Sequence, residues 1–376
     1  MKKISKYQVD PYILITLIVM AIISIITIYS AESLLPSYMH GLAIKQALWY
    51  LIGFIVAYLI MFISNQYIYR HIWILYWLGI IGLGLLLIYG TPINDVKAWF
   101  SVPGIGSIQP SEFMKIILII TLGSMIHNFN EQYNSPSLKE ELFFMIKAGI
   151  VVLIPSILTF LQPDTGVVLI YLLITFAMLF VAGIRYRWFA IAGIVVSIVL
   201  LLILTIYFIN TNFFVELFGS DFFLRIDRLL AWSSKSGYQL ENGMSAIGSG
   251  GLFGHGFNNT PIYFPAPQTD FIFAVYASNF GLVGSIFLLS LIAFFDIRLI
   301  QIAIKTNSNI DKYVIAGIIG MLIYQQIQNI GMTVGLMPIT GITLPFISYG
   351  GSSLLSYMIM AGIIFNISNA SLRYTN

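Results

Sequence analysis

Ten long apolar runs divided by short polar breaks set the pattern of this chain. They span approximately residues 12 to 31, 44 to 63, 71 to 90, 111 to 127, 142 to 161, 165 to 183, 188 to 209, 271 to 296, 312 to 335 and 349 to 369. A bilayer core is crossed by about 20 apolar residues of helix, so each run reads as one crossing. The expected fold class is an all-α polytopic membrane protein. It has ten transmembrane helices in a single integral membrane domain over residues 1–376, with a long extracytoplasmic loop, 210–270, between helices 7 and 8. The first run follows Lys2, Lys3 and Lys6 but outlasts a signal-peptide h-region and lacks a small-residue cleavage pattern, so it is expected to be retained as a helix.

An even number of crossings returns both termini to one side. Placing them in the cytoplasm sets Lys2, Lys3, Lys6, Arg70, Lys139, Lys147, Arg185, Arg187, Arg298, Lys305, Lys312 and Arg373 at or near cytoplasmic ends, which is most of the 18 Lys and Arg residues. Arg225, Arg228 and Lys235 fall in the long loop, where the positive-inside rule has little force. Segments 91–111, 210–270 and 336–348 then lie outside. The break Gln162-Pro163-Asp164-Thr165-Gly166 joins them, because Pro163 stops one helix and Asp164 or Thr165 caps the next. The 210–270 island is long, glycine-rich and short of apolar runs, and is expected to be mobile on its own.

Composition sharpens this picture. Hydrophobic residues make up 59% and charged residues 9%, with mean hydropathy +0.91, far from the roughly 25% charged of soluble domains. No cysteine is present, and His40, His71, His127 and His255 lack metal-ligand spacing. Short cytoplasmic connections leave no room for a nucleotide-binding domain, and nothing points to nucleic acid. Any driving force must arrive with the substrate.

Few charges stand at the rims of the apolar runs. A charge at mid-bilayer costs roughly 2.5 to 3.5 kcal/mol on insertion scales, so Glu112, Lys115, Asp164 and Asp270 are where chemistry is sought. In Gln109-Pro110-Ser111-Glu112-Phe113-Met114-Lys115, Ser111 is placed as an N-cap, with Glu112 near the positive helix end and Lys115 one turn on. That reads either as an intrahelical ion pair or as substrate contacts. Trp99, after Lys97, reads as an interfacial anchor or as part of a site. The cluster Gly248, Gly250, Gly251, Gly254 and Gly256 looks like a phosphate loop, but no strand precedes it. Asp270 opens the eighth run with no cation within the following turn, so it is either a helix cap or a carboxylate whose desolvation suits it to act as a base. Ser348, Ser352 and Ser353 surround a helix start after a proline- and glycine-broken stretch, and there form a candidate anion site.

Together these elements resemble the SEDS (shape, elongation, division and sporulation) family of bacterial peptidoglycan glycosyltransferases, and within it the members acting in elongation of Gram-positive rods. The resemblance rests on Lys97, Trp99 and Gln109-Pro110-Ser111-Glu112 with Lys115, and on Gln162-Pro163-Asp164 with Gly166. It continues through Arg225 before Gly237-Tyr238-Gln239, the Thr269-to-Phe273 element and the Pro345-to-Ser353 element. Ala266 and Ser278-Asn279 depart from it, since acidic residues are common there in the family, and Lys97 stands where arginine is frequent.

The resemblance implies polymerisation of lipid II into linear glycan at the outer face of the cytoplasmic membrane. Asp270 would be the general base. Lys97, Trp99, Glu112, Lys115, Arg225, Ser348 and Ser352 would be substrate-site residues. Undecaprenyl diphosphate leaves readily, so no cofactor is required, although Mg²⁺ or Mn²⁺ between phosphate and carboxylate is compatible with oxygen ligation. The implied partners are a class B penicillin-binding protein and other elongation-complex membrane proteins. A lipid II flippase, a scaffold for a transpeptidase, and a division or sporulation paralogue are the alternatives.

Overall fold

A computed structural model describes residues 7–93, 96–102, 106–220, 222–223, 226 and 237–375. Every apolar run is a helix. In chain order these are α1 (Pro11–Glu32), α2 (Leu42–Met61), a short α3 (Asn65–Arg70), α4 (Ile72–Tyr89), α5 (Pro110–Gln132), α6 (Leu138–Leu161), α7 (Thr165–Val181) and α8 (Tyr186–Ile209). They continue as α9 (Thr211–Phe218), α10 (Tyr238–Ser249), α11 (Ile272–Lys305), α12 (Asn309–Thr333) and α13 (Gly351–Thr375). Among the described residues nine helices are long and apolar enough to cross a membrane, and α7, at 17 residues, is a shorter apolar helix.

Helix starts follow local chemistry. Asp10 caps α1 ahead of Pro11, Ser137 and Glu140 form a capping box on α6, and Asp164 caps α7 through the Val167 N–H. The segment between α4 and α5 departs from the all-α expectation. It folds as a three-stranded antiparallel sheet, β1 (Thr91–Ile93), β2 (Val96–Val102) and β3 (Gly106–Ile108), with Thr91 opposite Trp99 and Phe100 opposite Ile108. The 210–270 island has regular structure among its described residues. It contains α9 and α10, and Phe264 within it is fully buried.

The bundle is built around α5, α12 and α13. α13 packs on α2, α12 lies against α5, α7 and α11, and α4 packs on α5. By contrast α8 buries none of its residues and forms the margin. The two ends of the bundle differ in kind. At one end the Tyr7 hydroxyl donates to Asn366 and the Gln8 N–H to Asn369, while Asn366 donates to the Ile60 and Ile63 carbonyls. Both chain ends therefore meet on one face, here the terminal face. The sheet, the island and the 334–350 segment form the opposite loop face.

A buried ion pair closes the terminal face. Asp10 is fully buried and one of its oxygens receives Arg298 at 2.7 and 3.0 Å and the Ser368 hydroxyl at 3.0 Å, while the guanidinium lies over the Tyr12 ring. Removing one member of such a pair leaves an uncompensated charge, at a cost of about 3 to 5 kcal/mol. Arg298→Ala is thus expected to lower the thermal midpoint of the detergent-solubilised protein markedly. A midpoint equal to that of the parent would show that Ser368 and the α1 N-terminus hold Asp10 unaided.

Candidate active site at the loop face

Between α12 and α13 the backbone runs without regular structure over 334–350, yet Ile342, Leu344, Phe346 and Ile347 are buried. Free backbone groups in an apolar bundle must find partners. Side chains supply them. The Ser24 hydroxyl donates to the Ile347 carbonyl (2.7 Å), Tyr50 to Phe346, Gln328 to Pro338 (2.7 Å) and Asn329 to Ile342 (2.8 Å). Gln46 both donates to the Ser348 carbonyl (3.2 Å) and accepts from the Gly350 N–H (3.4 Å).

Asp270 stands against this segment. Gly341 is its neighbour: a Cβ built there would lie 3.7 Å from Asp270 Oδ2, and the glycine itself is set by its left-handed φ of +73°. Asn329 donates to the Asp270 carbonyl at 2.9 Å, and the Tyr349 N–H donates to the Gln268 carbonyl at 2.9 Å. The α11 N-cap is Phe271 and has no side-chain cap, so the Asp270 carboxylate is not spent on the helix. Desolvation pushes its pKa up to about 6, partly offset by a hydrogen bond with the Thr269 side chain.

A second polar group lies on the other side of the segment. Gly166 packs against the Thr340 carbonyl and Ile342, which brings Asp164 to the same wall. Asp164 Oδ1 caps α7, Oδ2 accepts from Gln109 at 2.7 Å, and desolvation pushes its pKa up to about 6. Beneath it Glu112 and Lys115 form an ion pair at 2.7 Å, with Lys115 fully buried and its ammonium 5.2 Å from the Tyr357 ring centre. Gln325 donates to the Tyr357 hydroxyl. Ser111 Oγ, Gln325 Oε1 and Thr340 Oγ1 are buried without partners, a polar interior able to receive substrate groups or water.

The sequence-derived residues fall into distinct places. Lys97 is exposed and Trp99 half-buried, both on β2. Glu112 and Lys115 pair in the first turns of α5, whose N-cap is Gln109 with Pro110 at the first helical position, which corrects the placement of Ser111 as the cap. Ser352 accepts from the Gln109 N–H and donates to the Ser107 carbonyl, pinning the sheet to α13. Ser348 accepts from the Leu344 N–H and donates to the Thr269 carbonyl, next to Asp270. Both hydroxyls are committed to backbone, so they brace the site. Arg225 lies outside the described residues. Asn329 and Tyr357 escaped sequence reading, although the polar set Gln325, Gln326, Gln328 and Asn329 inside an apolar run was a signal for one of them, and Gln109 was seen only as part of its motif.

The glycine cluster has a structural use. α11 is broken at Gly281 (φ 64°, ψ −159°). The Ser278 and Asn279 carbonyls accept from the His255 and Gly256 N–H groups (2.9 and 3.1 Å), and the Leu282 and Val283 N–H groups donate to Gly251 and Leu252 (2.9 and 3.1 Å). The 250–256 loop is thus spliced into the broken helix. Among the described residues no group of three or more His, Cys, Asp or Glu is placed to hold a metal ion.

A bundle of apolar helices with an acidic site walled by broken backbone at one end defines a polytopic membrane protein built for chemistry at a membrane surface. The sequence model of the FtsW/RodA/SpoVE family, described as cell cycle protein, matches residues 10–373, and the chain belongs to that family. It is 34% identical to stage V sporulation protein E of Bacillus subtilis, over 98% of this chain and 99% of that one. It is 30% identical to the peptidoglycan glycosyltransferase MrdB of Helicobacter pylori, over 96% and 90%. The rod shape determining protein RodA of Thermus thermophilus shares the fold with a TM-score of 0.70 at 25% identity, over 96% of each chain. A chain from a peptidoglycan synthase complex shares it with a TM-score of 0.78 at 24% identity, over 96% and 98%.

The splice makes a paired prediction. An added Cβ on Gly254 (φ +78°) would lie 2.1 Å from the Asn279 carbonyl oxygen, whereas Gly256 (φ +93°) has open space. Gly256→Ala carries only the left-handed backbone cost of about 1 to 2 kcal/mol, and Gly254→Ala adds displacement of α11. Thermal melts should therefore rank Gly254→Ala well below Gly256→Ala, and equal midpoints would mean the splice is loose.

Proposed function

We propose that this chain is a peptidoglycan glycosyltransferase that polymerises lipid II into linear glycan at the outer face of the cytoplasmic membrane, with Asp270 as general base. The observation that carries the assignment of the base is the placement of Asp270. Its carboxylate is half-buried, caps no helix and faces the wall at Gly341. Family membership and relatives that are peptidoglycan glycosyltransferases by name support the reaction. The loop face is assigned to the outside by the distribution of Lys and Arg, which leaves both termini in the cytoplasm.

In this reading Asp270 takes the proton of the acceptor 4-hydroxyl as that oxygen attacks the donor anomeric carbon. The bond from that carbon to the diphosphate breaks with its electron pair, and undecaprenyl diphosphate departs. The anomeric centre inverts. Negative charge grows on the diphosphate, and exposed Lys97 on β2 is assigned to meet it. Trp99 on the same strand offers a ring beside it. Lys115 is fully buried against Glu112, so the pair stiffens the floor of the site rather than meeting phosphate directly. Arg225 is assigned to the diphosphate from sequence. No cofactor is required in this reading; Mg²⁺ or Mn²⁺, if bound, would add charge neutralisation at the diphosphate.

Asp270→Asn preserves size and removes the basic oxygen, so it is expected to abolish polymerisation of purified lipid II while the protein stays folded. A base works ionised, and desolvation raises the Asp270 pKa to about 6. Parent activity should then hold above that pH and fall as pH drops through it. Near-parent turnover by Asp270→Asn, or a profile flat between about pH 5 and 8, would reject Asp270 as base.

The partner and the cellular role belong to the same proposal. A chain of the same fold works within a peptidoglycan synthase complex that coordinates polymerisation and crosslinking. The partner proposed here is a class B penicillin-binding protein of the elongation machinery. Its docking on the 210–270 island would raise turnover without adding a catalytic group. Lipid II polymerisation should accelerate in the complex even when the partner's transpeptidase serine is replaced, and depletion of the chain should round the cells. Equal rates with and without the partner would leave it only a crosslinking role. Filaments or a sporulation block on depletion would place the chain with the division or sporulation members.

A further inference from the structure

The break at Gly281 isolates a short helical piece, 272–280, that begins just after Asp270. Its Asp270 end is tied to the 334–350 segment through Asn329 and Ser348. Its other end carries Asn279, which is fully buried and bonded on both sides of its amide. Nδ2 donates to Ser30 Oγ of α1 at 2.6 Å, and Oδ1 accepts from the Asn259 N–H at 3.1 Å and from the Thr260 hydroxyl at 3.4 Å. Its backbone carbonyl receives the Gly256 N–H. Three elements therefore converge on one side chain: α1, the spliced loop and the broken helix.

We infer that Asn279 is a positioning residue for the Asp270 site, the tie that fixes the 272–280 piece and its loop to α1. The role of α1 follows from a second serine. Ser24 and Ser30 are both fully buried on α1; Ser24 holds the Ile347 carbonyl at 2.7 Å and Ser30 holds Asn279. One rigid helix thus sets the distance between the wall of the site and the piece that carries its carboxylate. An amide supplies the donor for Ser30 and the acceptor for the loop at once, which no apolar side chain of that size does. Without it the splice loosens and the piece is free to pivot at Gly281. A misplacement near 1 Å costs roughly 100-fold in rate.

This inference rests on Asp270 as the base, and its test separates the two. In lipid II polymerisation by the purified chain, Asn279→Leu is expected to lower kcat about tenfold or more, with KM within about twofold. Ser30→Ala, which removes a single hydroxyl, should lower kcat less. The double variant should lose no more than Asn279→Leu, because the two side chains act through one bond. Hydrogen exchange should speed at the His255, Gly256, Leu282 and Val283 amides in both single variants. Additive losses in the double variant, or parent kcat in Asn279→Leu, overturn the inference. If Asn279→Leu does not accumulate, Ser30→Ala with parent kcat and parent exchange overturns it as well. Faster exchange combined with an active Asp270→Asn would instead sink the base assignment and leave the tie standing.

Discussion

The structure depends on one constraint: wherever a helix breaks inside the apolar bundle, its freed backbone groups must be paired within the protein. An unpaired N–H or C=O away from water costs several kcal/mol, and the chain breaks helices at Gly281 and over 334–350. Each break is received by a dedicated set of partners. The 334–350 segment leans on Ser24, Gln46, Tyr50, Gln328 and Asn329 from α1, α2 and α12. Gly281 is received by the backbone of the 250–256 loop. Those five polar side chains, which look out of place in apolar helices, are there to meet broken backbone.

That requirement also explains why the site is rigid. Asp270 lies against the 334–350 break, with Asn329 serving both the Asp270 and the Ile342 carbonyls, and the short 272–280 piece links it to the break at Gly281. Broken backbone brings a carboxylate to an apolar wall that continuous helices would close off. The glycines follow from the same geometry, since a Cβ on Gly250 would lie 2.6 Å from the Ala277 carbonyl oxygen and one on Gly281 would lie 2.4 Å from the Gly254 nitrogen. Backbone meets backbone there, and no side chain fits between.

The fold was legible in the sequence because hydrophobic length is a strong signal and membrane helices use it directly. The ten runs became helices, and Asp164 capped the one it precedes. The sheet was not legible. Its strands are three to seven residues long and lie between two crossings, where turn residues mask their alternation. The island was taken for mobile chain because α10 is polar and buries only a narrow face, including Leu240 and Ala246. In the site, rim charges pointed to Asp270 and to the Glu112–Lys115 pair. Ser348 and Ser352 were read as open to an anion because a helix start rich in hydroxyls looks the same whether or not long-range carbonyls have claimed the protons. Asn279 stood inside an apolar run, and its partners, Ser30, Asn259 and Thr260, are distant or unremarkable in sequence.

Three carboxylates surround the broken wall, and their hydrogen bonds decide which can act as a base. Glu112 is neutralised by Lys115 at 2.7 Å, so its charge is already spent on an ion pair. Asp164 has one oxygen on the α7 N-terminus and the other on Gln109, and both bonds favour its ionised form without leaving a free basic oxygen. Desolvation raises Asp164 and Asp270 alike to about 6, so proton affinity does not separate them. Access to the proton does. Asp270 caps no helix, borders a glycine, is held through its backbone carbonyl by Asn329, and has only the neighbouring Thr269 side chain on its carboxylate to favour the ionised form. In the proposed role, the fold holds Asp270 through its main chain and leaves a carboxylate oxygen for the proton, the arrangement that general-base chemistry requires.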